Sequence, residues 1–497
     1  MRYAAGIDNG TQSTKVLIYD CEKRRVAAAA SSPHRMHSRN DGTREQEAQW
    51  WIDALKACFG SFDPKMLAQV EAIGVSGQQH GFVPVDDEGE VLIPVKLWCD
   101  TSTAQQARQL TEAFGGEERL LQEAGNLMLT GYTAPKIRWF KDHHPKLYQR
   151  MRWIMLPHDY LNWVLTRRAW MECGDASGTG LISVRDRCWH DEAVRVLDSG
   201  RDLASCLPPL IESHEIGAYV CAEAAELFGI PEGIPVSSGG GDNMMSAIGS
   251  GVVTAGKLAI SMGTSGTLYG YSDSPVIDEG KRLAAFCSST GGWLPLLCTM
   301  NCTVATELYR SMLELNVKEF DALGASAPAG AQGILTLPFF NGERTPNLPR
   351  GKGCLVGMTA SNVTRENISR SALESAVFGL KLGLEACEEN GFQADSAVIT
   401  GGGAKSPIWR QITADILGIP VTLPAYEETA ALGAALQAVW AVSCAREGYV
   451  PIADVCISHD PAYDAVKHIP DASVRELYDA HYGEYKRYIE ALTPLFT

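Results

Sequence analysis

Residues 3–19 read YAAGIDNGTQSTKVLIY and carry the pattern from which we infer the fold. An apolar run from Tyr3 to Ile7 enters a polar cluster of Asp, Asn, Gly, Thr and Ser, and a second apolar run follows from Lys15 to Tyr19. Two such runs separated by turn-forming residues are typical of a β-hairpin. The sequence therefore predicts a hairpin near the N-terminus, with Gly10 in its turn.

The same pattern recurs in the second half of the chain. Residues 256–269 read GKLAISMGTSGTLY, again an apolar strand, a small polar turn and an apolar strand. Two copies in opposite halves indicate a duplicated fold. A Gly/Pro-rich stretch at 231–241 lies between the copies and is interpreted as a boundary or hinge.

Helical patterns alternate with these strands. Residues 45–59 and 371–388 place apolar side chains on one face at helical spacing, and strand 396–400 precedes a predicted helix at 408–417. Ser473 and Glu476 have the spacing of a capping box and predict the start of a C-terminal helix. Strands alternating with helices indicate an α/β architecture.

Composition limits the class of function. The 497 residues carry a formal net charge of −16, which argues against a general binder of nucleic acid or anionic membranes. The 14 cysteines form no C-x-x-C pair, so a zinc site is not expected. The N-terminal residues lack the apolar region of a signal peptide, and the apolar stretch 430–445 is too short to span a bilayer. We therefore expect a soluble, cytoplasmic protein with reduced thiols.

Three glycine-rich turns each follow a strand, at Gly10, Gly263 and Gly401. Backbone N–H groups in such turns, and at a helix start, bind anionic oxygens. A single such turn is usually only a turn, but three with Thr or Ser beside the glycines favour phosphate binding. The sequence contains no Gly-Lys-Ser/Thr, and no Gly-x-Gly-x-x-Gly opens a helix after the first strand, so neither a P-loop nor a dinucleotide fingerprint is present.

Two aspartates are candidates for the chemistry. Asp242 follows three glycines, so a substrate hydroxyl has access to it and it is a candidate general base. The alternative is that Asp242 caps a helix over residues 243–249. Asp8 is either a turn residue or a carboxylate that works with Mg²⁺ beside phosphates.

A polar group for a sugar is predicted around His80. With Gln78 and Gln79 it offers several donors and acceptors in a glycine-flanked turn. Trp98 and Asp100 add an apolar face and a hydroxyl acceptor. The alternative for these two is a core tryptophan and a turn aspartate.

Read together, these segments resemble the FGGY family of carbohydrate kinases from one end of the chain to the other. The matching segments are Gly6-Ile-Asp-Asn-Gly-Thr11, Gln46-Glu-Ala-Gln-Trp-Trp51, Gly77-Gln-Gln-His-Gly81, Leu97-Trp-Cys-Asp100, Thr133-Ala-Pro-Lys136, Leu156-Pro-His-Asp-Tyr-Leu161, Asp175-Ala-Ser-Gly178, Gly239-Gly-Gly-Asp-Asn243, Met262-Gly-Thr-Ser-Gly266, Gly342-Glu-Arg-Thr-Pro346, Gly401-Gly-Gly-Ala-Lys-Ser406 and Ala414-Asp-Ile-Leu-Gly418. Gly125-Asn126 followed by the segment at 133–136 is similar to the xylulokinase branch of the family.

The resemblance implies an α/β fold of two ribonuclease-H-like domains of the actin/hexokinase type, with the active site in the cleft between them. Residues 1–245 would bind the sugar and carry the base, and residues 246–497 would bind ATP. The implied reaction transfers phosphate from ATP, with Mg²⁺, to the C5 hydroxyl of D-xylulose. Family members are often dimers, so a homodimer is expected.

The resemblance also implies roles for individual residues. Asp242 would be the catalytic base, and Asp8 and Asp242 would work with Mg²⁺. The sugar would be held by Gln79, His80, Asp100, Asp242 and Asn243. The nucleotide would be bound by Gly10, Thr11, Gln12, Ser13, Lys15, Gly263, Thr264, Ser265, Gly402, Gly403 and Ser406.

Departures from the family pattern lie on the sugar side. Gln79 stands where some relatives carry Met, Cys99 replaces a frequent Asn, and residues 101–103 lack an arginine that many relatives have. Another ketose or polyol (ribulose, L-xylulose, glycerol or gluconate) therefore remains open as the substrate. The sequence also leaves open a catalytically silent sugar-binding protein and an actin-like ATPase.

Overall fold

The first hairpin lies at the centre of a large sheet in the computed structural model, which describes residues 1–459 and 467–496. Strand Tyr3–Asn9 pairs antiparallel with Ser13–Asp20, and Asp8 lies opposite Lys15. This confirms the predicted hairpin. The strands of the sheet, from edge to edge, are Ile216–Tyr219, Pro235–Ser237, Val70–Gly77, Tyr3–Asn9, Ser13–Asp20 and Arg25–Pro33, and Gly240–Gly241 also pairs with Val70–Gly77.

A second sheet repeats this arrangement. Strand Lys257–Met262 pairs antiparallel with Gly266–Gly270, which confirms the second hairpin, and it pairs in parallel with Ser396–Thr400. The strand order is Ala284–Cys287, Trp293–Thr299, Gly266–Gly270, Lys257–Met262, Ser396–Thr400 and Val421–Thr422. In both sheets an antiparallel set is continued by parallel strands on the side of the first hairpin strand. The duplicated α/β fold is therefore confirmed.

Smaller sheets and helices surround the two main sheets. The short strands are His37–Ser38, Arg44–Gln46, Val83–Val85, Val95–Lys96, Trp153–Met155, Met171–Glu172, Ile182–Ser183, Cys188–Trp189, Leu210–Ile211, Leu335–Pro338 and Gly353–Val356. The α-helices are Ala48–Gly60, Pro64–Leu67, Ala104–Phe114, Glu117–Glu123, Thr133–His143, Pro145–Arg150, Pro157–Thr166, Cys173–Ala176, Asp191–Leu197, Ala222–Phe228, Asp242–Gly249, Thr303–Met312, Val317–Ser326, Arg365–Glu389, Pro407–Leu417, Thr429–Glu447, Ile452–His459 and Arg475–Leu492.

Helix Thr429–Glu447 returns from the second half of the chain and packs on the first sheet. Glycines make this contact possible, because a Cβ at Gly6 or Gly74 would lie 1.9 Å from a carbonyl oxygen of the helix. The helix also packs against helix Asp242–Gly249, where a Cβ at Gly433 would lie 1.8 Å from the Met245 carbonyl oxygen. The first sheet is therefore completed by a helix that is remote in sequence.

Three local predictions differ from the structure. The helix predicted at 45–59 begins at Ala48, because residues 44–46 form the central strand of a small three-stranded sheet. The predicted capping box is wrong: the Ser473 hydroxyl donates to Asp471, and the helix begins at Arg475 after a short 3₁₀ turn. The stretch 231–241, interpreted as a boundary or hinge, contains two strands of the first sheet, residues 235–237 and 240–241.

The described residues also bear on the membrane and thiol predictions. Within residues 1–459 and 467–496, no helix is both long and apolar enough to cross a bilayer. All 14 cysteines lie in these ranges, none of them in a disulfide there, and most are buried. Burial raises the pKa of thiols such as Cys58, to about 11, so these groups stay protonated.

Candidate active site

The turn of the first hairpin and the strands of the second line one cavity of about 280 Å³. It lies where the first sheet, the second sheet and the helix starting at Thr429 meet. Its lining residues are Asp8, Gly10, Lys15, Asp242, Asn243, Ser246, Ser261, Tyr269, Thr400, Gly401, Glu427, Glu428, Thr429 and Ala430. The structure therefore brings together five of the residues predicted for the site: Asp8, Gly10, Lys15, Asp242 and Asn243.

Asp242 is the first residue of helix Asp242–Gly249, and the N-cap is Gly241. The alternative in which Asp242 caps the helix is therefore wrong. Its Oδ1 accepts the Asn243 backbone N–H at 2.8 Å, which fixes the carboxylate at the cavity wall. Burial, with repulsion from Asp8 and Asp175, raises the pKa of Asp242 to about 8. A carboxyl with that pKa is suited to accept a proton near neutral pH.

The three glycines before Asp242 are required for packing. A Cβ at Gly239 would lie 2.8 Å from the His158 ring, and one at Gly241 would lie 2.8 Å from Gln79 and 2.9 Å from Asp175. Gly239 also has a φ of +78°, which favours glycine. The sequence analysis explained these glycines by the access that they leave to Asp242. The structure adds that close packing around them leaves no room for a side chain.

A buried glutamine on helix Thr429–Glu447 holds this loop. Gln437 Oε1 accepts the Gly239 N–H at 2.9 Å and the Ser237 hydroxyl at 2.8 Å, and its Nε2 donates to the Gly239 carbonyl at 3.0 Å. The same helix begins at the cavity with Thr429. One helix therefore contacts both the cavity and the loop that leads to Asp242.

Asp8 lies within strand Tyr3–Asn9, so the alternative of a turn residue is wrong. Its Oδ1 accepts the Ser76 hydroxyl at 3.0 Å. Burial raises the pKa of Asp8 to about 6, and Lys15 opposes this rise. Two carboxylates facing one cavity fit Mg²⁺, which binds through one or two carboxylates together with waters and substrate phosphates.

The first glycine turn is held in shape by its own backbone and by neighbouring glutamines. The Gly10 N–H donates to the Ser13 carbonyl at 3.0 Å, and the Gln12 carbonyl accepts the His34 N–H at 2.7 Å. The Thr11 hydroxyl donates to Gln78 at 3.0 Å. These contacts fix the direction in which the turn faces the cavity.

The second and third glycine turns are neighbours because Ser261 pairs with Thr400. In the second turn, the carbonyls of Gly263 and Thr264 accept the N–H groups of Thr303 and Cys302, which joins the turn to the helix that follows. Ser265 lies beside them, and its carbonyl accepts the Gly263 N–H at 3.1 Å. Gly263, Thr264 and Ser265, which were predicted to bind the nucleotide, therefore lie next to the cavity and are not among its lining residues.

In the third turn, only Gly401 lines the cavity. Gly402 is exposed, whereas Gly403 is buried against Trp409. Ser406 caps helix Pro407–Leu417 by accepting the Trp409 N–H at 3.3 Å. The helix start predicted after the third turn is therefore confirmed.

Several cavity residues were not predicted from the sequence. Glu428 forms an ion pair with Lys15, and Glu427 pairs with Lys405 at 3.1 Å. Tyr269 and Ser246 line the cavity beside Asp242. A signal existed for Ser246, which lies one helical turn after Asp242 and so shares its face. For Glu427 and Glu428, the sequence showed only two acidic residues before an Ala-rich segment. That pattern indicates the start of a helix and does not indicate a cavity.

The residues predicted for sugar binding separate into two groups. Gln79 Oε1 accepts the Asn243 amide at 2.7 Å, so these side chains are joined beside Asp242. The His80 ring lies 4.7 Å from the Tyr132 ring. Asp100 is fully buried, and its oxygens accept from Ser102, Lys96 and the Arg44 backbone. Those contacts leave Asp100 occupied by the protein itself, and it does not line the cavity.

Comparisons with family models, with curated sequences and with solved structures all find carbohydrate kinases. The model of the N-terminal domain of the FGGY family of carbohydrate kinases matches residues 3–249, and that of the C-terminal domain matches 258–442. The chain is 40% identical to the xylulose kinase of Haemophilus influenzae over 99% of both chains. It superposes on a xyloylose kinase from Brucella ovis with a TM-score of 0.90 at 28% identity, covering 99% of each chain. A gluconate kinase from Lactobacillus acidophilus has the same fold, with a TM-score of 0.89 at 21% identity over 99% of this chain and 98% of that one.

Proposed function

Because this chain belongs to the FGGY family of carbohydrate kinases, we propose that it transfers the terminal phosphoryl group of ATP to the C5 hydroxyl of D-xylulose, giving D-xylulose 5-phosphate. The names of its relatives support the choice of sugar. The observation that supports the reaction type is the shared cavity lined by Asp242, Gly10 and Gly401, where a candidate base lies beside two glycine turns of the kind that bind phosphate.

Asp242 is the proposed general base. It would accept the proton of the C5 hydroxyl as the oxygen attacks the terminal phosphorus, while ADP leaves with the bond's electron pair. Phosphoryl transfer depends chiefly on positioning and charge stabilisation, so Lys15 and the turn N–H groups would bind the phosphoryl oxygens. Mg²⁺ held by Asp8 and Asp242 would neutralise the charge that develops on those oxygens.

The other nucleotide contacts remain proposals of the same kind. We propose that Thr11, Gln12 and Ser13 lie near the transferred group, that Gly263, Thr264 and Ser265 bind ATP phosphates, and that Gly402, Gly403 and Ser406 lie near the rest of the nucleotide. The division into units 1–245 and 246–497 is also a proposal. Helix Thr429–Glu447 belongs to the second unit but packs on the first sheet, so the division at residue 245 does not separate this helix from the sheet that it covers. A cytoplasmic location would give the enzyme its ATP.

The first test is the release of ADP by the purified protein with Mg·ATP and a panel of sugars. The panel is D-xylulose, L-xylulose, D-ribulose, L-ribulose, glycerol, gluconate and no sugar. We expect D-xylulose to give the highest kcat/KM by more than about tenfold, since one well-placed hydroxyl contributes that much discrimination. A higher value with another sugar would contradict the substrate, and an ADP rate independent of sugar would contradict the kinase reaction.

The pH dependence follows from Asp242. A base with a raised pKa becomes protonated as the pH falls, so kcat/KM is expected to decline below a midpoint of about 8. Mg²⁺ beside the carboxylate favours its charged form, so the decline of kcat with Mg·ATP bound should have a lower midpoint. The measurement is a pair of pH profiles from about pH 5 to about pH 10, a range that spans both midpoints. A kcat/KM that stays constant down to about pH 5, as expected for an aspartate with its ordinary pKa of roughly 4, would contradict the proposed environment of Asp242.

A further inference from the structure

Lys136 is a fully buried lysine that the proposed mechanism does not use. It lies on helix Thr133–His143, in one of the segments on which the family resemblance rests. Its ammonium donates to two backbone carbonyls, at 2.6 Å to His80 and at 2.7 Å to Gly131. Burying a lysine is unfavourable unless its donors are satisfied, so this pairing is a specific feature of the site.

The carbonyl that Lys136 contacts belongs to a residue in an uncommon backbone conformation. His80 has a φ of +63°, in the left-handed region, which few residues other than glycine adopt. The Thr133 hydroxyl donates to the same carbonyl at 3.2 Å. Two donors on one helix therefore hold the His80 peptide in a conformation that the isolated chain would rarely populate.

The held conformation determines where the imidazole lies. The ring packs 4.7 Å from Tyr132 and 5.6 Å from Phe286, which belongs to the second half of the chain. It also fills the space beside Gly178, where a Cβ would lie 2.2 Å from Nδ1. The ring therefore lies between side chains of both halves.

His80 is also adjacent to the residues that contact the candidate base. The preceding residue, Gln79, accepts the Asn243 amide at 2.7 Å, and Asn243 follows Asp242. Burial lowers the pKa of His80 well below its usual range, and Lys136 and Arg344 add to this effect. The imidazole is therefore neutral, and because its Nδ1 is buried against Gly178, only Nε2 can offer a hydrogen bond to a polyol.

We propose that Lys136 is a positioning residue for the sugar: by holding the His80 carbonyl, it sets the imidazole in the orientation that reads the sugar hydroxyls. The inference rests on the proposed function. It predicts that the loss of Lys136 weakens recognition of the sugar and leaves recognition of ATP unchanged, because the hydrogen bonds of Lys136 both lie on the sugar side.

The test is Lys136→Met, which keeps the length of the side chain and removes its donors. We expect KM for D-xylulose to rise at least about tenfold, as for other losses of a buried hydrogen-bond donor in a polar site, while KM for Mg·ATP changes less than about twofold. His80→Asn is expected to raise KM for the sugar similarly, because asparagine tolerates the left-handed conformation but lacks the ring. The double variant should be no worse than the weaker-binding single variant, since both changes remove the same interaction.

The matched control is Leu110→Ala. Leu110 is fully buried in the same hydrophobic cluster as Ala134 and Ile137 of the Lys136 helix, so its truncation should lower Tm without changing KM for the sugar. If Lys136→Met behaves like this control, or if its effect multiplies with that of His80→Asn, the proposal is wrong.

A second variant covers the case in which Lys136→Met does not fold. Thr133→Val removes only the weaker donor to the His80 carbonyl, and a rise of about two- to fivefold in KM for the sugar is expected from the loss of one neutral hydrogen bond. No change in either soluble variant would overturn the proposal. Wild-type protein without sugar-dependent ADP release would instead overturn the proposed function, and this inference with it.

Discussion

Asp242→Asn is expected to lower kcat by at least about 10²- to 10⁴-fold, which is the range that general-base catalysis contributes. Asparagine has nearly the same shape, and its Oδ1 can still accept the Asn243 N–H that Asp242 accepts at 2.8 Å. It cannot accept a proton from the sugar hydroxyl or contribute a charged ligand to Mg²⁺. The loss should therefore appear in turnover, measured as ADP release with saturating D-xylulose and Mg·ATP.

Sugar binding separates this effect from a loss of structure. Asp242→Asn and Asp242→Ala should both bind D-xylulose in calorimetry, more weakly than the wild type but detectably, because Gln79 and Asn243 remain. Asp53→Asn is the control, since Asp53 is exposed on helix Ala48–Gly60 and does not line the cavity. Near-normal turnover in Asp242→Asn would remove the proposed base from the mechanism.

Gly433→Ala is expected to destabilise the protein by at least about 3 kcal/mol, the upper range for overpacking a core. In most helix interiors the same change stabilises by about 1 kcal/mol, because alanine is the better helix former. Here the added Cβ would lie 1.8 Å from the Met245 carbonyl oxygen and 2.9 Å from the Gly249 nitrogen. Both atoms belong to the backbone of helix Asp242–Gly249, so neither can move without displacing that helix.

The matched control is Gly483→Ala on helix Arg475–Leu492. A Cβ at Gly483 has no atom within 4 Å, so this variant should be neutral or more stable by up to about 1 kcal/mol. Both variants are compared by urea unfolding and by Tm. Equal stability of the two variants would show that the two helices separate easily, contrary to the packing described above.

The strands were predictable because their patterns are local. Residues 3–19 and 256–269 alternate apolar runs with turn residues within a few positions, and both hairpins formed as predicted. The strand predicted at 396–400 also formed, and it pairs with the first strand of the second hairpin. The predicted capping box at Ser473 is wrong because Asp471, two residues earlier, accepts the Ser473 backbone N–H and caps a 3₁₀ turn.

The site was predictable only in part. Asp8 and Asp242 are distinguished by the glycines beside them, so the sequence identified both. Glu428 and Tyr269 belong to elements that reach the cavity through long-range packing, which no local pattern encodes. Asp100 is the opposite case, since an aspartate in a polar segment is equally suited to bind a sugar or to pair with a buried lysine. In the structure, Asp100 forms an ion pair with Lys96.

The packing of helix Thr429–Glu447 on the first sheet has a consequence for how the chain folds during synthesis. The last strand of that sheet ends at Gly241, but the helix leaves the ribosome only after roughly 200 further residues, a delay of about 10–40 seconds at typical rates of translation. Until then the glycine-lined face of the nascent sheet lacks its cover. We therefore expect the N-terminal half to await the C-terminal half before its fold is complete, so that stalled or truncated chains would be substrates for chaperones.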